Sequence, residues 1–308
     1  MRLSGNLVTH HWGYVGALSS AILFGVSSTL NKIALENVNP LIVAGMIYSV
    51  GGVLLLAIHY SPLHKKLLML FETPTETETV ISARDYRILA FVILCGSIVA
   101  PFLLLHGLNE TTAINAALLL NTESLFTVLL AFFFLKERGQ GKDYMGILLL
   151  LLGVVILTTN AGFQRLTLTE QLYGNMLIVG ACLFWGIDNN LSRFLSKKRD
   201  IVMVTGLKCF IGGIILLAMS QILGIGFSVP IVSLPYLLTV GASSIALSIM
   251  LFLFALREIG AMRTGVIFST SSLSGAIFAL VVLREQFSHI QLLAGLIMLC
   301  GVYILYKR

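Results

Sequence analysis

Ten apolar runs dominate the chain, at about 13–35, 41–60, 86–108, 113–135, 144–160, 172–194, 201–223, 233–256, 263–283 and 289–306. A helix needs roughly 20 apolar residues to cross a hydrocarbon core about 30 Å thick, and the runs meet or approach that length. In lipid the backbone must bond within its own segment, so such runs fold as helices. The rest of the chain cannot supply a water-soluble surface. Only 11% of its 308 residues are charged and its mean hydropathy is +0.95, whereas soluble domains carry about 25% charged residues. The expected fold class is an all-α integral membrane protein with ten transmembrane helices. Most connections are short. The longest, 61–85, contains the Thr/Glu-rich stretch Glu72 to Thr79, and 161–171 and 224–232 are milder loops. None is long enough for a soluble domain.

A net charge of +6 raises the question of a nucleic-acid partner, but the basic residues cluster at the ends of apolar runs, where they set orientation. With the N-terminus in the cytoplasm, the inner ends hold Arg2; Lys65, Lys66, Arg84 and Arg87; Lys136, Arg138 and Lys142; Arg193, Lys197, Lys198 and Arg199; Arg257 and Arg263; and Lys307 and Arg308. Outer loops hold only Arg165 and Arg284, and Lys32 and Lys208 lie within runs. Both termini are therefore expected in the cytoplasm, with the protein multi-pass in the plasma or inner membrane and no nucleic-acid partner. The first run is followed by no A-x-A-like cleavage site and reads as a retained helix. Cys95, Cys182, Cys209 and Cys300 all fall inside runs, without metal-ligand or disulfide-framework spacing, and read as small packing residues. No metal or cofactor is expected.

The chain repeats itself. Leu23-Phe24-Gly25-Val26-Ser27-Ser28-Thr29-Leu30-Asn31-Lys32 aligns without gaps on Phe184-Trp185-Gly186-Ile187-Asp188-Asn189-Asn190-Leu191-Ser192-Arg193, 161 residues later. The same offset carries Gly45, Gly51, Gly52 and Ala57 onto Gly206, Gly212, Gly213 and Ala218. An offset of 148 carries Leu135-Lys136-Glu137 onto Leu283-Arg284-Glu285 and Thr122 onto Thr270. This predicts two five-helix units, 1–160 and 161–308. A unit with an odd number of spans enters the membrane upside down in its second copy. Loop charge agrees: the 36–40 loop has no Lys or Arg, while its counterpart carries Lys197, Lys198 and Arg199. Inverted repeats recur in secondary transporters, with substrate sites near the midplane between the copies.

At these residues the chain resembles the EamA-type branch of the drug/metabolite transporter superfamily, over nearly its whole length. The resemblance rests on the first helix of each half, ending in Asn31-Lys32 and Ser192-Arg193, and on Lys208 before Gly212-Gly213, where the family usually has Arg. It rests also on Glu123-Ser124 leading to Leu135-Lys136-Glu137, and on Ser271-Ser272 leading to Leu283-Arg284-Glu285. Ser124 and Ser272 replace a common Pro, and Ile47 stands where Lys208 stands in the other half. What the resemblance implies is ten helices around a central cavity and proton-linked or exchange-driven efflux of small metabolites, amino acids or related compounds among them.

Charged groups at helix centres cost about 2.5–3.5 kcal/mol each on insertion scales and are candidates for function. Glu123 stands in the middle of its run and is the leading proton-coupling candidate or substrate-amine partner; the alternative is a protonated Glu bonding a neighbouring helix. Asp188 is the second proton-coupling candidate. It either pairs with Lys208, at similar depth, or lines the cavity. Ala181, Trp185, Asp188 and Ser192 share one helical stripe, as do their counterparts Ser20, Phe24, Ser27 and Asn31. Cavity candidates are thus Phe24, Ser27, Asn31, Asn115, Glu123, Trp185, Asp188, Ser192, Ser271 and Ser274. Lys32 and Lys208 are assigned structural charges, Lys32 by snorkelling from a helix end. The hydroxyl-rich run 269–274 suits either a cavity wall or close helix packing, and His106 reads as structural.

Enzyme chemistry is not expected: there is no H-E-x-x-H or G-x-S-x-G, and one intramembrane Asp cannot form an aspartyl dyad. No phosphate-binding loop is present to use ATP. A channel, or an assembly or scaffold factor, is the alternative to a carrier. The carrier reading places helices 5 and 10 at the periphery of an alternating-access device, with a small-molecule substrate, the lipid bilayer and protons as partners; oligomeric state is left open.

Overall fold

A computed structural model describes residues 5–63, 83–134, 141–159, 170–196 and 200–306. The Glu72 to Thr79 stretch, Leu135-Lys136-Glu137, Arg165, Lys197–Arg199 and the terminal Lys307-Arg308 lie outside the described residues. Among the described residues every regular element is helical. α1 is Gly5–Leu35, α2 Pro40–Tyr60, and α3 runs from Ala83–Val92 through a π-helical Ile93–Val99 into Ala100–Glu110. α4 is Ala113–Leu119 and Thr122–Phe134, broken at Leu120 and Asn121; α5 is Gly141–Thr159, α6 Glu170–Ser196 and α7 Ile201–Ile222. α8 runs from Leu234–Thr239 through a π-helical Val240–Leu247 into Ser248–Phe268; α9 is Ser271–Phe278 with a π-helical Ala279–Leu283, and α10 is His289–Tyr306. Among the described residues six stretches are long and apolar enough to cross a membrane: Trp12–Leu35, Pro40–Tyr60, Tyr86–Glu110, Ala113–Phe132, Val202–Ile222 and Leu234–Phe252. Tyr144–Leu157, Ser271–Leu283 and His289–Leu305 are shorter apolar helices.

The sequence pattern places a break near 257–262, whereas helical bonding persists from Ser248 to Phe268. The segment is nevertheless no straight rod. Phe252 and Phe268 meet edge to face with ring centroids 4.8 Å apart, although 16 helical steps would separate them by about 24 Å. Along α1, Ser20 meets Ser248 and Gly13 meets Glu258, after which Phe24 meets Phe268 and Gly25 meets Gly275. The chain runs out along α1 and folds back.

The sequence offsets reappear as geometry. Asn39 and its counterpart Asp200 both cap helices: Asn39 Oδ1 accepts from Leu41 N, and Asp200 Oδ1 from Val202 N, each at 2.9 Å. Such caps contribute about 1 kcal/mol. Packing contacts are reciprocal. Gly52 lies on Phe210 and Gly213 on Ser49; Gly45 lies on Leu217 and Gly206 on Leu56; Gly51 lies on Ile245 and Gly212 on Ser97. Gly25 meets Ser274 and Gly275, as Gly186 meets Phe126 and Thr127. In each pair both partners exchange halves under the offsets of 161 and 148, which is what a two-fold relation requires. As the contacts advance along α2 from Gly45 to Leu56 they retreat along α7 from Leu217 to Gly206, so these two helices run antiparallel and the axis crosses them. Small residues are the physical basis, because lipid offers no hydrophobic drive and close backbone approach must hold helices together.

Candidate functional site

The polar side chains concentrate where α3, α4, α6 and α7 meet. Asp188, 4% exposed on α6, accepts from Lys208 Nζ on α7 at 2.6 Å through Oδ2 and from Ser192 Oγ at 2.8 Å through Oδ1. Gly96 makes room for this carboxylate, since a Cβ there would meet the Asp188 side chain. Gly96 belongs to the π-helical turn of α3, and such a turn leaves carbonyls free of the usual ladder. The Gly96 carbonyl accepts from Trp185 Nε1 at 3.0 Å and from Tyr48 Oη at 3.5 Å. A buried ion pair of this kind is costly to break one partner at a time.

One helical turn from Trp185, Asn189 is exposed and donates through Nδ2 to Glu123 Oε1 at 2.7 Å and to Thr127 Oγ1 at 3.3 Å. Asn190 Nδ2 donates to the carbonyls of Thr127 and Gly186, at 3.0 and 2.9 Å. Glu123 is half-buried, in the first turn after the break in α4, and among the described residues it has no ion-pair partner. Gly186 lets α6 lie directly on α4 at Phe126 and Thr127.

A second polar cluster joins the ends of α1, α3, α4 and α10. Lys32 Nζ donates to the carbonyls of Leu108, Asn109 and Thr111, at 2.7, 3.0 and 2.7 Å, which satisfies the end of α3 with a cation, as its dipole favours. Glu285 accepts from Ala113 N and Ile114 N, at 2.8 and 2.9 Å, and so caps α4. Asn115 accepts from Gln291 Nε2 at 2.8 Å, and Thr111 Oγ1 donates to Asn175 at 2.7 Å.

Of the residues singled out in the sequence, Glu123, Trp185, Asp188, Ser192 and Lys208 therefore lie in or beside one constellation. Phe24, Ser27, Ser271 and Ser274 belong to the α1–α9 seam: Phe24 lies 5.3 Å from Phe268, Ser27 Oγ donates to Phe24 O at 2.6 Å, Ser274 Oγ donates to Thr270 O at 3.2 Å, and Ser271 and Ser274 pack on Gly25. Asn115 and Lys32 join the terminal cluster. Asn31 is buried and its Oδ1 has no partner in the structure. His106 Nδ1 lies 2.8 Å from Phe102 O. Asn189, Thr127 and Gly96 escaped the list. The signal for the first two was the i, i+4 spacing of Trp185 with Asn189 and of Glu123 with Thr127; for Gly96 only its match to Ser244 was available.

Comparison with known proteins fits this architecture. Residues 11–159 and 172–307 each match the EamA-like transporter family. The chain belongs to the EamA-like transporter family. A Methanothermobacter thermautotrophicus protein named uncharacterized transporter is 42% identical over 295 residues, covering 96% of this chain and 86% of its own length. YetK of Bacillus subtilis, also named an uncharacterized transporter, is 23% identical over 98% of this chain and 89% of its own length. One solved crystal structure shares the fold at a TM-score of 0.64, with 17% identity and 95% of each chain covered. The EamA-like chain is thus a multi-pass helical membrane transporter, with a small molecule and the lipid bilayer as its partners.

Proposed function

We propose that this EamA-like chain is a secondary active transporter that exports small metabolites by alternating access, with Glu123 carrying the coupling proton. The single observation behind this is the exposed Asn189, about three-quarters along α6, bonded to a half-buried Glu123 in the middle of α4. A carboxyl and an amide facing hydrocarbon there would be expensive, so the exposure is to water, in a crevice between α4 and α6. The terminal cluster around Lys32 and Glu285 closes the other end of the same helices. Ten crossings, as two five-helix units of opposite insertion (1–160 and 161–308), are supported by the reciprocal contacts, the antiparallel α2–α7 pair and the fold-back within α8. Both termini then lie in the cytoplasm and the protein sits in the plasma or inner membrane. Cavity roles go to Phe24, Ser27, Asn31, Ser271 and Ser274 as the facing wall, with Asp188 as a secondary proton site tuned by Lys208.

The test has two stages. Untargeted profiling of spent medium, from cells with and without the protein, identifies the species whose efflux rises. Flux of that species in proteoliposomes under a pH gradient is then compared between wild type and Glu123→Gln. Loss of the pH-driven component is expected; equal coupling in both removes Glu123 from the role. No difference in the medium and no flux would favour an assembly factor, and flux indifferent to any gradient a channel.

A further inference from the structure

The donors and acceptors of the α4–α6 crevice are unequally spent. Asn189 uses its amide hydrogens on Glu123 and Thr127, and Asn190 uses its own on Thr127 O and Gly186 O. The carbonyl acceptors around Asn190 and the carboxylate before Asn189 can take only an N–H, which fixes how both amides point. The indole N–H of Trp185 is bound to Gly96 O, and Ser192 and Lys208 turn toward Asp188. What remains without a donor among the described residues is Glu123 Oε2 and the amide oxygens of Asn189 and Asn190, three acceptors on adjoining positions. Formal charge points the same way. Asp188 and Lys208 neutralise each other at 2.6 Å, which leaves the Glu123 carboxylate uncompensated among the described residues, and the half-buried Trp185 stands one helical turn from Asn189, the partner of Glu123.

From this inventory we infer that the crevice binds a cation rich in N–H groups, a primary ammonium or guanidinium, and discriminates against quaternary ammonium and against anions. The inference rests on the transport reading above and supplies its substrate class. A primary ammonium brings three donors for three acceptors and a charge for Glu123, and charge-assisted bonds are the strong ones. The Trp185 face adds cation–π attraction. A quaternary ammonium keeps that attraction but leaves every acceptor unpaired. A carboxylate meets like charge at Glu123, with the Thr127 hydroxyl as a lone neutral donor beside it.

Isothermal titration at pH 7 on the full chain in lipid nanodiscs tests this with matched probes. These are methylammonium, phenethylammonium and 1,4-diaminobutane, each beside its fully N-methylated form and the carboxylate of the same skeleton. At least one ammonium should bind, at least tenfold tighter than its N-methylated form, with no measurable binding of the carboxylates. Glu123→Gln should weaken it at least tenfold and Asn189→Ala severalfold, while Ser220→Ala, whose hydroxyl bonds only Leu217 O of its own helix, leaves it unchanged; melting temperatures are recorded for each. If Glu123→Gln does not fold, Asn189→Ala, at an exposed position, carries the test. Binding of none of the ammonium probes, preference for a carboxylate, parity of primary and quaternary forms, or unchanged affinity in folded variants overturns the inference. Gradient-driven flux of an anion would sink the cation chemistry and leave the transport reading standing. Ammonium binding without flux of any probe would do the reverse.

Discussion

The quadrant where α3, α4, α6 and α7 meet and its two-fold mate at α8, α9, α1 and α2 share a backbone plan but not a chemistry. Each has a π-helical turn in the middle of a helix, Ile93–Val99 in one and Val240–Leu247 in the other. Each has a helix broken near mid-depth, after Leu119 and after Phe268. Each seats a glycine, Gly186 or Gly25, on the neighbouring backbone. Yet Asp188 faces Ser27 across the alignment, and Lys208 faces Ile47, Glu123 Ser271, Asn189 Ser28 and Trp185 Phe24. Even the shared seam bond changes hands: Trp185 donates from α6 to the Gly96 carbonyl of α3, whereas Ser244 donates from α8 to the Leu23 carbonyl of α1 at 2.6 Å. Small-residue packing that must mesh in both halves has kept the repeat. The polar groups sit where meshing does not depend on them, and there the halves have diverged.

Copying one quadrant into the other breaks the comparison most severely at Glu123. Glu123→Gln is expected to abolish gradient-driven flux, whereas Ser271→Ala, which removes a wall hydroxyl but no proton carrier, lowers flux and keeps its pH dependence; loss of coupling in both would mean that the quadrants are functionally equivalent. Next comes the ion pair. Lys208→Met strands Asp188 and should cost about 3–5 kcal/mol, read as a fall in melting temperature in detergent, against less than about 1.5 kcal/mol for the apolar swap Ile47→Met. The double change Asp188→Ser with Lys208→Ile, which reproduces the mate, should restore most of that stability without restoring flux. A smaller effect is expected at Gly96→Ala, about 1–3 kcal/mol from crowding Asp188, whereas Ser244→Ala at the matching position loses only one hydrogen bond. Smallest is Ser20→Ala, at about 0.6 kcal/mol: Ser20 bonds Ser248 at 2.7 Å, and the mates of this pair, Ala181 and Ala100, already manage without it.

Much of the fold was legible because lipid removes alternatives. Apolar length gives helices, and the gapless Phe24/Trp185 block with Gly45/Gly206 and Gly52/Gly213 gives the repeat, since packing glycines cannot drift without losing backbone contact. The fold-back within α8 falls between Glu258 and Phe268, at the break near 257–262 in the apolar pattern, although helical bonding carries through it. The π-helical turns left no mark in the pattern, so Gly96 was invisible as an acceptor. The constellation was half legible. Asp188 and Lys208 stood out as charges, but whether they met depended on how α6 and α7 turn toward each other, which spacing alone does not give. Asn189 is absent from the candidates because the stripe leaves Trp185 by the i+3 step to Asp188 and not by the i+4 step to Asn189.

The most direct test of the account is whether water reaches Asn189. In a background with Cys95, Cys182, Cys209 and Cys300 replaced by Ala, Asn189→Cys is treated with a membrane-impermeant, charged thiosulfonate in sealed vesicles of each orientation. The account predicts rapid modification from one side, slowed by the transported species. Modification only by lipid-soluble maleimide, from neither aqueous side by the charged reagent, would place Asn189 and Glu123 against lipid and contradict it.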